Sequence, residues 1–155
     1  MKDYILKVFP EGKASGQQNP ILEIVVFFCI LLFAYAAFSK LMDFGSFSQQ
    51  LARSPYISSF SSALAWLIPS AEIISALMMA WSQTRKYGLY IFALLMAAFT
   101  IYIAVMLLFS SNTPCVCGGV ISGLGWFYHM IFNLGFLILG ISAIRTIYKN
   151  TGHPY

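Results

Sequence analysis

The sequence predicts an all-α polytopic membrane protein, a four-transmembrane-helix bundle with short amphipathic helices in the first outer loop. Three observations carry this. Apolar residues run almost unbroken over 21–41, 63–81, 88–109 and 124–147, and at about 1.5 Å rise per residue each run is long enough for the roughly 30 Å hydrocarbon core of a bilayer. Hydrophobic residues make up 59% of the chain and charged residues 9%, far below the roughly one-quarter charged residues of soluble domains, which excludes a soluble core. Finally, the basic residues fall between or beside the runs, with only Lys40 and Arg145 inside them, each near a run's end. With 155 residues and no long polar segment between spans, there is room for one bundle and no second domain.

Each element can be justified in chain order. Residues 4–9 are apolar enough to lie on the inner membrane interface, and 11–20, rich in Gly, Ser, Gln and Asn, read as a linker. The first span ends in Leu41-Met42-Asp43 without a small-x-small cleavage site, so it is expected to stay attached. Cys29 lies eight residues into it and reads as a small buried hydrophobe. Tyr35, Ser39 and Lys40 add polar groups toward its outer end, and Lys40 is most simply a snorkelling side chain. In the loop over 44–62, Phe44, Phe47 and Leu51 recur at helical spacing, as do Ile57 and Phe60 beyond Ser54-Pro55. That periodicity predicts one or two short amphipathic helices at the membrane surface, a lid over the bundle in preference to a docking surface.

Basic residues orient the chain, because cytoplasmic loops carry the excess of Lys and Arg. Lys2, Lys7, Lys13, Arg85, Lys86, Arg145 and Lys149 fall on one side, and only Lys40 and Arg53 on the other. The reading is a bacterial inner-membrane protein with both termini cytoplasmic. Its net charge of +4 is then the positive-inside signature and calls for no nucleic acid; the bilayer itself is the first partner.

Few residues can carry chemistry. The last outer loop contains Thr113-Pro114-Cys115-Val116-Cys117-Gly118-Gly119, on the side where disulfides form and persist. A Cys-x-Cys bridge must fold the chain sharply, which makes it strained and labile. Three readings stay open by spacing alone: a redox-active dithiol formed by Cys115 and Cys117, a static clip on the loop, or a metal site completed by His129. Glu72 sits mid-span, three residues after Pro69, where an ionisable group marks a functional position or a protonated tie between helices. Trp126, His129 and Asn133 share one face of the last span, continued by Gly140. That face is expected to look inward, with His129 near enough to the cysteine loop to tune a thiolate. Trp126 and His129 as plain interface anchors are the alternative.

Tyr35-Ala36-Ala37-Phe38-Ser39-Lys40-Leu41-Met42-Asp43-Phe44, Pro69-Ser70-Ala71-Glu72, Cys115-Val116-Cys117-Gly118-Gly119 and the Trp126, His129, Asn133 face together resemble the MauE branch of the DoxX-like membrane proteins. The resemblance runs over nearly all of 21–147. It implies a small four-helix membrane protein associated with redox maturation of exported proteins. For MauE it implies processing of the disulfide-rich small subunit of methylamine dehydrogenase with a thioredoxin-like partner, and for DoxX relatives quinone-linked electron transfer. Cys115, Cys117 and Glu72 stand where the family pattern has its cysteine pair and its glutamate after proline.

The expected function is therefore an inner-membrane thiol-redox accessory. Cys115 or Cys117 attacks or receives a disulfide and His129 tunes the thiolate. Glu72, Asn133 and Trp126 form a buried polar site whose candidate cofactor is a quinone. The alternative is a non-catalytic subunit of a larger membrane complex, with the cysteine pair as a loop clip. Reporter fusions test the orientation: Arg85 and the C-terminus should report cytoplasmic, and Arg53 and Val116 external. A cytoplasmic Val116 would remove the argument from an oxidising compartment.

Overall fold

A computed structural model of the chain describes residues 19–54, 57–109 and 126–151. The helices are α1 (Pro20–Met42), α2 (Phe44–Arg53), α3 (Ser61–Ala80), α4 (Arg85–Phe109) and α5 (Trp126–Thr151), with a 3-10 turn at Ser58–Phe60. Candidate membrane spans cover Pro20–Met42, Ser58–Ala80, Arg85–Met106 and Phe127–Lys149, so four helices are long and apolar enough to cross a bilayer. The predicted spans are recovered with modest shifts: the second begins at Ser61 and the third at Arg85. Of the loop periodicity, Phe44, Phe47 and Leu51 form α2. Ile57 and Phe60 belong instead to the short turn that winds directly into α3, because no glycine or proline separates Phe60 from the second span.

Local chemistry sets the helix ends. The Asn19 side chain accepts a hydrogen bond from the Ile21 amide at 3.2 Å, and Pro20 follows as the first helical residue, where its missing N–H costs nothing. Asp43 serves two helices. Its amide donates to the Ser39 carbonyl to close α1, and its carboxylate accepts from the Ser46 amide to open α2. Between α3 and α4, the Thr84 hydroxyl donates to the Met78 carbonyl at 2.9 Å and Arg85 Nε to the Met79 carbonyl at 3.2 Å. These bonds satisfy carbonyls that have no partner inside the helix. Arg85 also pairs with Glu23 of α1, tying three helices at this end.

The four long helices form a closed ring in which α1 packs on α3, α3 on α4, α4 on α5, and α5 returns to α1 along the thinnest seam. Two apolar clusters fill it. Toward the Arg85 end, Val26, Cys29, Phe33, Ala76, Met79, Leu89, Phe92, Met96 and Ala143 are buried together, and the rings of Phe33 and Phe92 meet across the bundle axis with centroids 4.4 Å apart. Toward the α2 end, Phe47 and Leu51 of α2 pack on Ala65 of α3, and Phe44 stacks obliquely on Trp66 with centroids 4.6 Å apart. The outward faces are apolar as well: Ile24, Phe28, Leu31 and Phe38 of α1 are exposed. Such surface is lipid-facing in a membrane.

Small residues set how closely α3, α4 and α5 approach. The Ser75 hydroxyl donates to the Gly88 carbonyl at 2.9 Å, and a methyl group on Gly88 would fall 2.6 Å from the Met79 amide nitrogen and 2.9 Å from the Ser75 carbonyl oxygen. These are backbone atoms that cannot swing away. Gly135 of α5, by contrast, has open space at that position. Gly88→Val is therefore expected to lower bundle stability by about 1–3 kcal/mol through overpacking. Gly135→Ala should raise it by roughly 0.5–1 kcal/mol through helix propensity. Thermal unfolding in detergent, followed by circular dichroism, should show shifts of opposite sign.

Candidate functional site

Between the two apolar clusters lies a buried ion pair. Lys40 Nζ donates to Glu72 Oε1 at 2.7 Å, and the residues are only 6% and 1% exposed. The pair follows from helix direction. A helical Cα–Cβ bond tilts toward the helix N-terminus, so Lys40, the third-last residue of α1, leans back into the bundle. Glu72 lies about 16 Å along α3 from Ser61 by helical rise and leans toward Ser61. Because α1 and α3 run antiparallel, the two side chains approach one another.

This corrects the expectation that Lys40 snorkels. Snorkelling would carry the ammonium outward, against the tilt of its own Cβ. The ammonium instead folds back one turn, donating also to the Ala36 carbonyl at 3.3 Å. Two aromatic rings complete its surroundings, Phe47 of α2 at 5.9 Å and Phe99 of α4 at 5.7 Å from the ring centroids, within range of a cation–π attraction. The ammonium is thus well satisfied. The carboxylate is not: Glu72 Oε2 is enclosed and accepts no hydrogen bond among the described residues.

The α2 helix closes this end of the bundle. Phe47 and Leu51 provide its buried face, while Asp43, Ser46, Gln49 and Arg53 are exposed. Its far end is pinned where the hydroxyls of Ser54 and Tyr102 hydrogen-bond at 2.8 Å. Pro69, buried one turn from Glu72 toward Ser61, has no N–H to offer the Ala65 carbonyl, so α3 carries a second polar disruption beside the pair.

The other candidate residues divide by position. Asn133 is buried, as are Gly140 and Ala143 further along α5, so this face of α5 looks inward at those positions. His129 is half-buried and lies within electrostatic range of the Lys40 ammonium. Trp126 opens α5 at the same end of the bundle. Cys115 and Cys117 lie outside the described residues. The helices they connect are described, however: α4 runs from Arg85 to Phe109 and α5 back from Trp126, with Tyr90 and Tyr148 hydrogen-bonded at the opposite end. The ends joined by the cysteine loop are therefore on the α2 side, with the ion pair. Cys29 has a free thiol buried in the core. No group of three His, Cys, Asp or Glu residues suited to holding a metal occurs among the described residues.

Sequence reasoning missed Lys40, Phe47 and Phe99 as parts of one site. Charge accounting offered a signal for the first. Lys40 and Arg145 are the basic residues inside the predicted spans, and Arg145 belongs to the opposite end, leaving Lys40 as the counter-ion within reach of Glu72. Phe99 offered none, since aromatic residues occur throughout α4.

No curated protein and no solved structure matches the chain significantly. A family does: the model of the methylamine utilisation protein MauE matches residues 18–146, a stretch that includes the first three spans, most of the fourth, Lys40, Glu72 and the cysteine loop. The chain, with its buried ion pair inside four membrane-spanning helices, belongs to the MauE family.

Proposed function

We propose that this protein is a bacterial inner-membrane accessory to the thiol redox maturation of exported proteins, with Cys115 and Cys117 as its exchanging dithiol on the outer face and both termini in the cytoplasm. The observation that carries this reading is positional. The helix ends joined by the cysteine loop lie on the same side of the bundle as the half-buried His129 and the Lys40–Glu72 pair. The excess of Lys and Arg at the opposite end supports an orientation with that side outside the cytoplasm. The family match supplies the pathway context of methylamine utilisation.

The chemistry is thiol–disulfide exchange with a thioredoxin-like partner. One cysteine, as its thiolate, attacks a sulfur of the partner's disulfide; a mixed S–S bond forms and a partner thiolate leaves. The second cysteine loses its proton to the solvent or a nearby base and attacks the mixed disulfide, forming the Cys115–Cys117 bond and releasing the second partner thiolate. The partner is reduced, the loop is oxidised, and the reverse sequence oxidises the partner. His129 sits at the start of α5, where an imidazole can hold or deliver that proton. Glu72 and Asn133 are the interior polar groups of the site, and Trp126 begins the helix that carries Asn133 and His129.

Differential alkylation in membranes tests this. The thiols of Cys115 and Cys117 should become reactive only after mild reductant, with Cys29 unchanged in both states because it is 0% exposed. A Cys115→Ser or Cys117→Ser variant should trap a mixed disulfide with the partner. Two free or metal-bound thiols without reductant would discard the dithiol mechanism. A bridge that forms but never traps a partner would leave the loop a structural clip.

A further inference from the structure

The Lys40–Glu72 pair has a feature that stability does not explain. Exchanging a buried ion pair for apolar residues of similar volume is often neutral or stabilising, and this pair also leaves a carboxylate oxygen without a donor among the described residues. A proton on Oε2 would not mend that, since the new O–H would need an acceptor. What the oxygen lacks is an external hydrogen-bond donor.

We propose that Glu72 Oε2, beside the Lys40 ammonium, is the acceptor of a binding site for a hydroxyl group carried on a small apolar body, and that α2 is the lid of this site. The hydroxyl donates to Oε2 while the ammonium of Lys40 lies next to its oxygen. The walls are the rings of Phe47 and Phe99, which already flank the ammonium and suit an apolar or flat body. The structure shows the closed state, because Oε2 is fully enclosed.

Of the surrounding walls, α2 is the one that moves at least cost. The other walls belong to helices of 20 or more residues packed along the bundle. The α2 helix has ten residues and is held by Phe47 and Leu51 on Ala65, Phe44 on Trp66 and the Ser54–Tyr102 hydrogen bond. It is joined to α1 through Asp43 alone, outside helical geometry at φ −120° and ψ 54°. Swinging α2 away removes Phe47 from over the ammonium and opens the pair from the loop side.

The test is chemical labelling of Glu72 with the lipid-soluble reagent dicyclohexylcarbodiimide, using the full chain in lipid nanodiscs. The carboxyl, taking a proton from Lys40, adds across a C=N bond of the reagent to an O-acylisourea, which rearranges to an N-acylurea or passes its acyl group to the Lys40 amine, 2.7 Å away in the starting pair, with release of dicyclohexylurea. Either product consumes the native Glu72 peptide in a mass spectrum, and Glu72→Gln is the blank. Labelling should be slow in the wild type. In Tyr102→Phe, which deletes one latch hydrogen bond and little else, it should be roughly fivefold faster, because the open population rises by the net worth of that bond. Phe47→Ala should be faster again.

The source of the hydroxyl is read in Tyr102→Phe. Slowing by 4-nonylphenol supports a membrane-dissolved hydroxyl compound, whereas labelling by a water-soluble carbodiimide that the phenol does not slow means that water serves Oε2 and overturns the apolar ligand. Equal labelling rates in the wild type and both lid variants, or no labelling in any of them, would overturn the proposal. Because the assay reads Glu72 and not a thiol, it stands or falls separately from the dithiol mechanism.

Discussion

The constraint on which the rest of this structure depends is one charge pair held in an apolar bundle. A carboxylate at mid-span must find a counter-charge or lose its charge, and the packing of α1 on α3 brings Lys40 against Glu72 at 2.7 Å. That contact fixes the relative depth of the two helices. Sliding α3 by one turn would move the carboxylate about 5.4 Å along the bundle, breaking the contact and stranding both charges. Register in this pair of helices is therefore set by the ion pair together with side-chain packing.

Around that pair the bundle divides its labour. The Arg85 end is built for close approach: Gly88 lets the backbones of α3 and α4 meet, Gly140 accommodates the Phe92 ring, and Phe33 and Phe92 close the axis. The α2 end is built from a short helix laid over the opening, with a polar outer face and few attachments. Local stability follows the number of buried contacts, so the first end is the rigid one and the second is where motion is cheapest. The cysteine loop joins the bundle at the second end, so the proposed chemistry and the cheapest motion share a location.

The separation of the two proposed activities is also physical. Thiol exchange needs access to a protein partner and to water, and belongs in a loop between spans. The Lys40–Glu72 pair excludes water and sits among aromatic rings, conditions that strengthen an electrostatic contact with a small ligand. His129, half-buried near the start of α5, is within range of the Lys40 ammonium.

Much of this was legible in the sequence. Span length and low charge determined four membrane helices, because an unbroken apolar run of about twenty residues matches the bilayer thickness as a helix and satisfies its own backbone hydrogen bonds there. The spacing of Phe44, Phe47 and Leu51 determined α2 in the same way, and the cost of an ionisable group in hydrocarbon marked Glu72. The tertiary structure alone decided which residue answers Glu72. Lys40 looked like a side chain reaching for the headgroups because a single span carries no information about the helix beside it. Only the antiparallel packing of α1 on α3 turns the tilt of its Cβ into a direct approach to the carboxylate. The same holds for Phe47 and Phe99: their spacing says helix, but which ring lies against the ammonium is settled by how α2 folds over the bundle end and how α4 is turned, and hydrophobic periodicity does not encode either.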